Sequence, residues 1–130
     1  MELLGIWKLS AMMTGDENGV KMITAEEIMA LGDTEDSYEL KQMVRADFII
    51  SETALDVYYM PLESEMELAE EEGLEVTEHG VLIESYPARI VDGTLQLDYD
   101  REGKEYWPVK VCEDGCLSIS DDLMRIRRVQ

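Results

Sequence analysis

The two ends of this chain are the feature that most constrains its fold. The N-terminal segment contains Gly5-x-Trp7, and the C-terminal segment alternates basic and apolar residues up to Arg128. A glycine and a tryptophan two positions apart share one face of a strand, and the glycine leaves room for a neighbouring group to cross the indole ring. An arginine from the last strand can lie over that indole in a cation–π contact. We therefore predict that the first and last strands are neighbours in an antiparallel sheet that closes on itself.

The charge of the chain excludes several classes of partner. Its 130 residues include 30 acidic residues against 11 Lys and Arg, a formal net charge of -19. This excess of negative charge repels phosphate, so we expect no nucleic-acid partner and no binding to anionic membranes. A basic protein partner is compatible with it. The chain has no apolar run of about 18 residues, which predicts no membrane span. It also has no secretory-leader pattern, which predicts a cytoplasmic protein.

The length and the turn pattern predict one domain, residues 1–130, that is mainly antiparallel β. Short segments of alternating apolar residues recur along the chain, and glycine-containing turns such as Asp92-Gly93 and Asp114-Gly115 separate them. This arrangement is typical of a barrel or a sandwich. The predicted strands cover residues 3–13, 40–50, 54–60, 81–86, 94–99, 106–112, 117–120 and 124–129.

Two short surface helices are predicted between the strands. Thr24, with a glutamate three residues later, has the spacing of a capping box, and Gly32 marks the end of that helix. Ser64 begins a second capping box, and Gly73 marks the end of the second helix. The second helix is rich in glutamate and poor in apolar residues, which favours a solvated surface position or a lid over a barrel mouth.

Few residues of the chain indicate catalysis or metal binding. The single histidine, His79, stands in a predicted turn, and no serine lies in a nucleophile-elbow setting. Segments beginning at Asp16 and Asp98 resemble the start of a calcium loop but lack its final glutamate, so they are predicted to be hairpin turns. Cys112 and Cys116 flank a tight turn, close enough for a disulfide, but reduced thiols are expected in a cytosol. We predict no enzyme activity, no cofactor and no metal site.

The chain resembles the lipocalin-like (calycin) group of small β-barrels, in particular small bacterial members. The resemblance rests on Gly5-x-Trp7 in the first strand and on an arginine near the end of the last strand. It implies an up-and-down antiparallel barrel of about eight strands, with Trp7 at the closed end and Arg128 packed on the indole ring. Gly5, Trp7 and Arg128 are therefore expected to close the barrel rather than to bind a ligand.

The interior of such a barrel is either filled by side chains or large enough for one small ligand. We predict binding of a small apolar ligand, oriented by the polar tips of tyrosine and tryptophan side chains. The residues expected to line the cavity are Phe48, Val57, Tyr59, Leu97, Tyr99 and Trp107.

The chain has nine methionines, which either border this pocket or fill the core. The candidates for the border are Met12, Met43, Met60, Met66 and Met124. The alternative to a ligand-binding barrel is a solid barrel that acts as a protein-interaction module through its acidic surface.

Overall fold

Antiparallel strands make up about half of the described residues, in a computed structural model that describes residues 3–16, 19–32, 34–59, 63–73, 76–102, 104–119 and 123–129. The strands are β1 (Gly5–Asp16), β2 (Gly19–Thr24), β3 (Asp47–Ile50), β4 (Ala54–Tyr59), β5 (Val81–Val91), β6 (Thr94–Leu97), β7 (Trp107–Pro108), β8 (Lys110–Val111), β9 (Leu117–Ile119) and β10 (Met124–Arg128). The described helices are α1 (Ala25–Met29), α2 (Glu35–Arg45) and α3 (Glu63–Glu71).

The strands form a nearly closed barrel whose order follows the chain. Neighbours pair antiparallel from β3 through to β7, and β1 joins β3 to the last strand, β10, which continues to β9 and β8. Strand β2 lies off this ring and forms a hairpin with β1. β7 and β8 are two parts of one segment separated by Val109, whose amide donates to the Leu95 carbonyl of β6 at 2.8 Å. This one segment pairs with both remaining edges, which confirms the predicted up-and-down antiparallel barrel.

The two ends of the chain pair in the predicted way. Trp7 of β1 stands opposite Arg128 of β10 in an antiparallel register. The indole is 1% exposed, and its Nε1 donates to the Leu3 carbonyl at 3.0 Å. The predicted stacking of the guanidinium on the indole is not among the cation–π contacts of the described residues. Arg128 instead donates from Nε to the Leu4 carbonyl at 3.1 Å, because this backbone acceptor just before β1 lies within its reach.

A third helix occupies part of the predicted strand 40–50, and this prediction is wrong up to Arg45. The helix begins after Thr34, whose hydroxyl accepts from the Ser37 amide at 3.1 Å, while the Ser37 hydroxyl accepts from the Thr34 amide at 2.9 Å. The helical spacing of three and four residues outweighs the two-residue alternation, because it brings a whole apolar stripe onto the core. The stripe consists of Leu40, Met43 and Val44.

The two predicted helices form with shifted ends. The Thr24 hydroxyl accepts from the Glu27 amide at 3.2 Å, which confirms the first capping box, although the helix ends at Met29. The second helix begins at Glu63, so Ser64 lies inside it and is not its cap. None of the helices in the described part of the chain combines the length and apolar character needed to cross a membrane.

Two β-bulges bend the barrel wall. The register of β1 against β10 shifts between Leu9 and Ala11, which leaves Ser10 as the extra residue on β1. The register of β4 against β5 shifts in the same way, and Ile83 is the extra residue on β5. A bulge increases the local twist and changes which side chains face inward. Both bulges lie toward the end of the barrel where β1 leaves the wall to pair with β2.

Candidate ligand-binding cavity

A cavity of about 430 Å³ opens in the barrel at the bulged end. This volume lies within the range of roughly 300–1,000 Å³ that is common for small-molecule sites. Its floor consists of side chains with almost no exposure, which come from β3, β4 and β9. They are Phe48, Leu55, Val57 and Ile119. At its mouth stand two exposed apolar residues, Ile83 at 42% and Leu123 at 54% exposure, so the cavity opens to solvent along an apolar rim.

Methionine side chains form much of the remaining wall. Met12 and Met124 stand opposite each other in the register of β1 and β10, and Met43 reaches the cavity from α2. Met13 lies beside the mouth, where its amide donates to the Leu123 carbonyl at 2.8 Å. Unbranched thioether side chains adapt to ligands of different shape. Of the other expected methionines, Met66 on α3 is not a lining residue and Met60 lies outside the described residues.

Strand β5 contributes two polar side chains to an otherwise apolar wall. After the bulge at Ile83, Glu84 pairs with Val57 and Tyr86 pairs with Leu55. Residues paired in an antiparallel ladder lie on the same face, so both polar side chains turn toward the cavity, which their buried partners line. The Tyr86 hydroxyl donates to Glu84 Oε2. Burial, and then this bond, raise the pKa of Tyr86 to about 12, so it remains a neutral donor at physiological pH.

An aromatic pair and one arginine surround this carboxylate. The rings of Tyr86 and Tyr99 meet edge to face with centroids 5.8 Å apart, and both line the cavity. The Arg101 guanidinium lies beside this group, 4.8 Å from the centre of the Tyr86 ring and 3.7 Å from Glu84 Oε2. Its Nε donates to the Ser85 carbonyl at 3.1 Å. Arg101 does not line the cavity and instead borders a shallow groove beside β5, which Ile83 and Glu84 also line.

The loop that carries Arg101 is a turn closed by its own aspartate. Asp98 is fully buried, and its Oδ1 accepts from the amides of Asp100 at 3.1 Å and Arg101 at 3.0 Å. These bonds fix the positive backbone angle of Arg101, 61°, and aim its side chain at β5. The segment that resembles a calcium loop in sequence is thus a hairpin turn. No group of three metal-ligating side chains is found among the residues that the structure describes.

The six residues predicted to line the cavity divide into two sets. Phe48, Val57 and Tyr99 are lining residues. Three others lie elsewhere, namely Tyr59, Leu97 and Trp107. Leu97 is fully buried in the core, and Trp107 is 55% exposed. The predicted inward position of Trp107 is wrong: β7 has only two residues, so the alternation of a longer strand does not apply to its exposed side chain.

Tyr59 instead helps to hold the acidic helix α3. Its hydroxyl donates to Glu65 Oε1 at 2.7 Å, and the Tyr38 hydroxyl of α2 donates to Oε2 of the same carboxylate. Burial, and then the bond to Glu65, raise the pKa of Tyr59. The Arg45 guanidinium lies 5.6 Å from the centre of the Tyr59 ring. Helix α3 is therefore attached next to α2, the helix that supplies Met43 to the cavity.

Of the polar groups of the cavity, Tyr99 was identified from the sequence, but Glu84 and Tyr86 were not. Glu84 stands in a strand where a charged residue is normally read as solvent-facing, and the bulge at Ile83 has no recognisable sequence pattern. The one sequence feature that could have pointed to these groups was the short turn beginning at Asp98, which brings Arg101 back beside β5.

The thiols and the histidine stand apart from the cavity. The Cys112 amide donates to the Cys116 carbonyl at 2.8 Å across a tight turn, and both cysteines are free. Burial raises the pKa of the Cys116 thiol. His79 Nε2 lies 3.6 Å from Glu78 Oε1 in a turn before β5.

Comparisons of the chain with protein-family models, with curated proteins and with solved structures gave no match. The geometry of the cavity is therefore the basis for a functional proposal.

Proposed function

We propose that this protein is a lipocalin-like carrier that binds one small apolar molecule in its barrel cavity and performs no reaction on it. The observation that supports this proposal is the cavity itself: a buried apolar floor, an adaptable methionine wall and an open mouth. A barrel whose function resides only in its outer surface has no need of such a space, since a filled interior is more stable.

The energetics of apolar burial set the expected affinity. A ligand that loses about 300 Å² of apolar surface to the cavity gains roughly 7.5 kcal/mol at about 25 cal/mol per Å². The costs of immobilisation reduce this gain below the roughly 8 kcal/mol that corresponds to a dissociation constant of 1 μM, so dissociation constants between about 10 μM and 1 mM are expected. The tyrosines Tyr86 and Tyr99 supply orientation rather than most of the free energy. We place this binding in the cytoplasm, where the two free cysteines of the hairpin remain reduced.

Helix α3 has a part in this proposal as a lid. The helix has few apolar residues to bury and is attached beside α2 through the carboxylate of Glu65. An element attached by a few polar bonds opens at lower free energy than one packed into a core. Its opening and closing beside Met43 would control access to the cavity.

Fluorescence titration with the neutral probe N-phenyl-1-naphthylamine tests the proposal. We expect saturable binding of one probe per protein with blue-shifted emission, and little dependence on salt because no charge is involved. Val57→Phe places a ring in the cavity and should weaken binding at least about tenfold, whereas Val109→Phe enlarges a buried valine outside the cavity and should leave the affinity of the folded protein unchanged.

Absence of probe binding by the folded wild-type protein would contradict the proposal. If a basic protein then formed a complex that weakened steeply between low and physiological salt, the acidic surface would be the functional part of the molecule. Equal binding by wild type and Val57→Phe would show that the probe occupies a different site.

A further inference from the structure

The charge on the cavity wall indicates the kind of ligand that the cavity accepts. Among the described residues that line the cavity, Glu84 is the only one with a formal charge. Its register opposite Val57 turns it toward the interior, and its side chain remains 47% exposed, so it meets both the cavity and solvent. A carboxylate in this position attracts a cation that enters through the mouth.

The aromatic rings beside Glu84 add a second attraction for a cation. Tyr86 and Tyr99 present a pair of π systems next to the carboxylate, and the face of a tyrosine ring attracts an ammonium group. Arg101, which is not a lining residue, already shows this arrangement, since its guanidinium lies over Tyr86 and near Glu84. Tyr86 and Arg101 both meet Glu84 at Oε2, so Oε1 is the oxygen that a ligand on the cavity side would use.

The groups around Glu84 do not offer an anionic ligand a comparable attraction. The Tyr86 hydroxyl is donated to Glu84, and the Arg101 guanidinium, which pairs with Glu84 and donates to the Ser85 carbonyl, does not line the cavity. The whole chain adds a net charge of -19, which raises the local concentration of cations and lowers that of anions. A carboxylate headgroup would therefore approach Glu84 with no cation among the described lining residues to receive it.

We infer that the natural ligand of this cavity is a cationic apolar molecule, an amine or quaternary ammonium whose apolar body lies among Met12, Met43 and Phe48 and whose charged group lies between Glu84 and the Tyr86–Tyr99 pair. This inference rests on the proposed function and specifies the chemical class of its ligand.

Three probes that share one rigid apolar body test the inference. They are 1-adamantyltrimethylammonium, 1-adamantanemethanol and 1-adamantanecarboxylate, each used to displace N-phenyl-1-naphthylamine at about 150 mM salt, where charges more than about 8 Å away are screened. We expect the ammonium to bind about tenfold more tightly than the alcohol, since a cation–π contact and a half-exposed ion pair together contribute about this much. The carboxylate should bind more weakly than the alcohol.

Two variants with the same change of net charge separate the local carboxylate from the general field. Glu84→Gln should remove most of the preference for the ammonium over the alcohol. Glu52→Gln alters an exposed carboxylate in the turn between β3 and β4, which is not a lining residue, and should preserve the preference. One ammonium per protein is the expected stoichiometry.

The outcomes distinguish this inference from the function on which it rests. If the naphthylamine probe binds but the ammonium displaces it no better than the alcohol does, the inference is wrong and the carrier function stands. Tightest binding of the carboxylate, lost in Arg101→Gln, would also overturn it and would make Arg101 the residue that selects the ligand. If neither the naphthylamine nor any adamantyl probe binds, the carrier function itself is wrong.

Discussion

The two ends of the barrel have the same kind of wall but different interiors. At the junction of the first and last strands, Trp7 is buried and bonded to the Leu3 carbonyl, and Leu95, Leu97 and Val109, elsewhere in the same core, do not line a cavity. At the other end the wall encloses a space of about 430 Å³. One end stabilises the fold by filling its interior, and the other leaves the interior open.

The two bulges account for much of this difference. Ser10 and Ile83 are the extra residues of β1 and β5, and beyond them the wall bends and the inward positions change. Past the bulge on β1, the inward position belongs to Met12, a flexible side chain, and past the bulge on β5 it belongs to Glu84. The comparison teaches that a small change of register decides where a barrel is packed and where it is hollow.

The largest effect is expected from truncation at the closed end. Trp7→Ala removes a fully buried indole and its hydrogen bond, and should lower the free energy of unfolding by about 3–5 kcal/mol. Arg128→Ala, at the same junction, removes one bond to the Leu4 carbonyl from an exposed side chain and should cost only about 0.5–1.5 kcal/mol. Denaturant unfolding measures both. Arg128→Ala should leave ligand affinity unchanged, and a large loss of affinity at unchanged stability would contradict its structural role.

A matched pair of enlargements compares the two interiors directly. Val109→Phe adds volume to a packed region and should destabilise the protein by about 1–3 kcal/mol, whereas Val57→Phe extends into the cavity and should change stability by less than about 1 kcal/mol. Thermal and denaturant unfolding measure the difference. Equal destabilisation by both substitutions would mean that the cavity is not available space.

The smallest effect is expected on the stability that Tyr86 contributes at alkaline pH. The folded pKa of Tyr86 is about 12 and its unfolded value about 10, so the folded state retains the proton between these values. The stability due to Tyr86 is therefore complete below about pH 10 and is lost as pH rises toward 12. Melting temperatures measured from pH 9 to 11.5 should fall less steeply in Tyr86→Phe than in wild type. Identical slopes would show that Tyr86 is not held as a neutral donor to Glu84.

Features that depend on residues close together in the sequence were predictable, whereas features that depend on packing between distant segments were not. The capping box at Thr24 and the paired Asp92-Gly93 turn, both residues of which have positive φ, are local and were predictable from a few residues. The helix α2 was missed because its apolar stripe competes with an alternation ending at Ile50, and only packing against the barrel decides between them. Of the predicted cavity residues, Phe48 and Val57 belong to strands of four and six residues, whereas Trp107 belongs to a strand of two.

The amino-acid sequence alone determined that the first and last strands meet and that the chain closes into an up-and-down antiparallel barrel. The sequence features that predicted this lie in single strands or in the turns that join them: Gly5-x-Trp7, the terminal arginine and the glycine turns. Tertiary structure alone decided where the barrel is hollow and that Glu84 and Tyr86 face the cavity. The physical reason is that one unpaired residue in a ladder reverses the facing of the residues beyond it, and whether a residue is left unpaired depends on the neighbouring strand rather than on its own sequence.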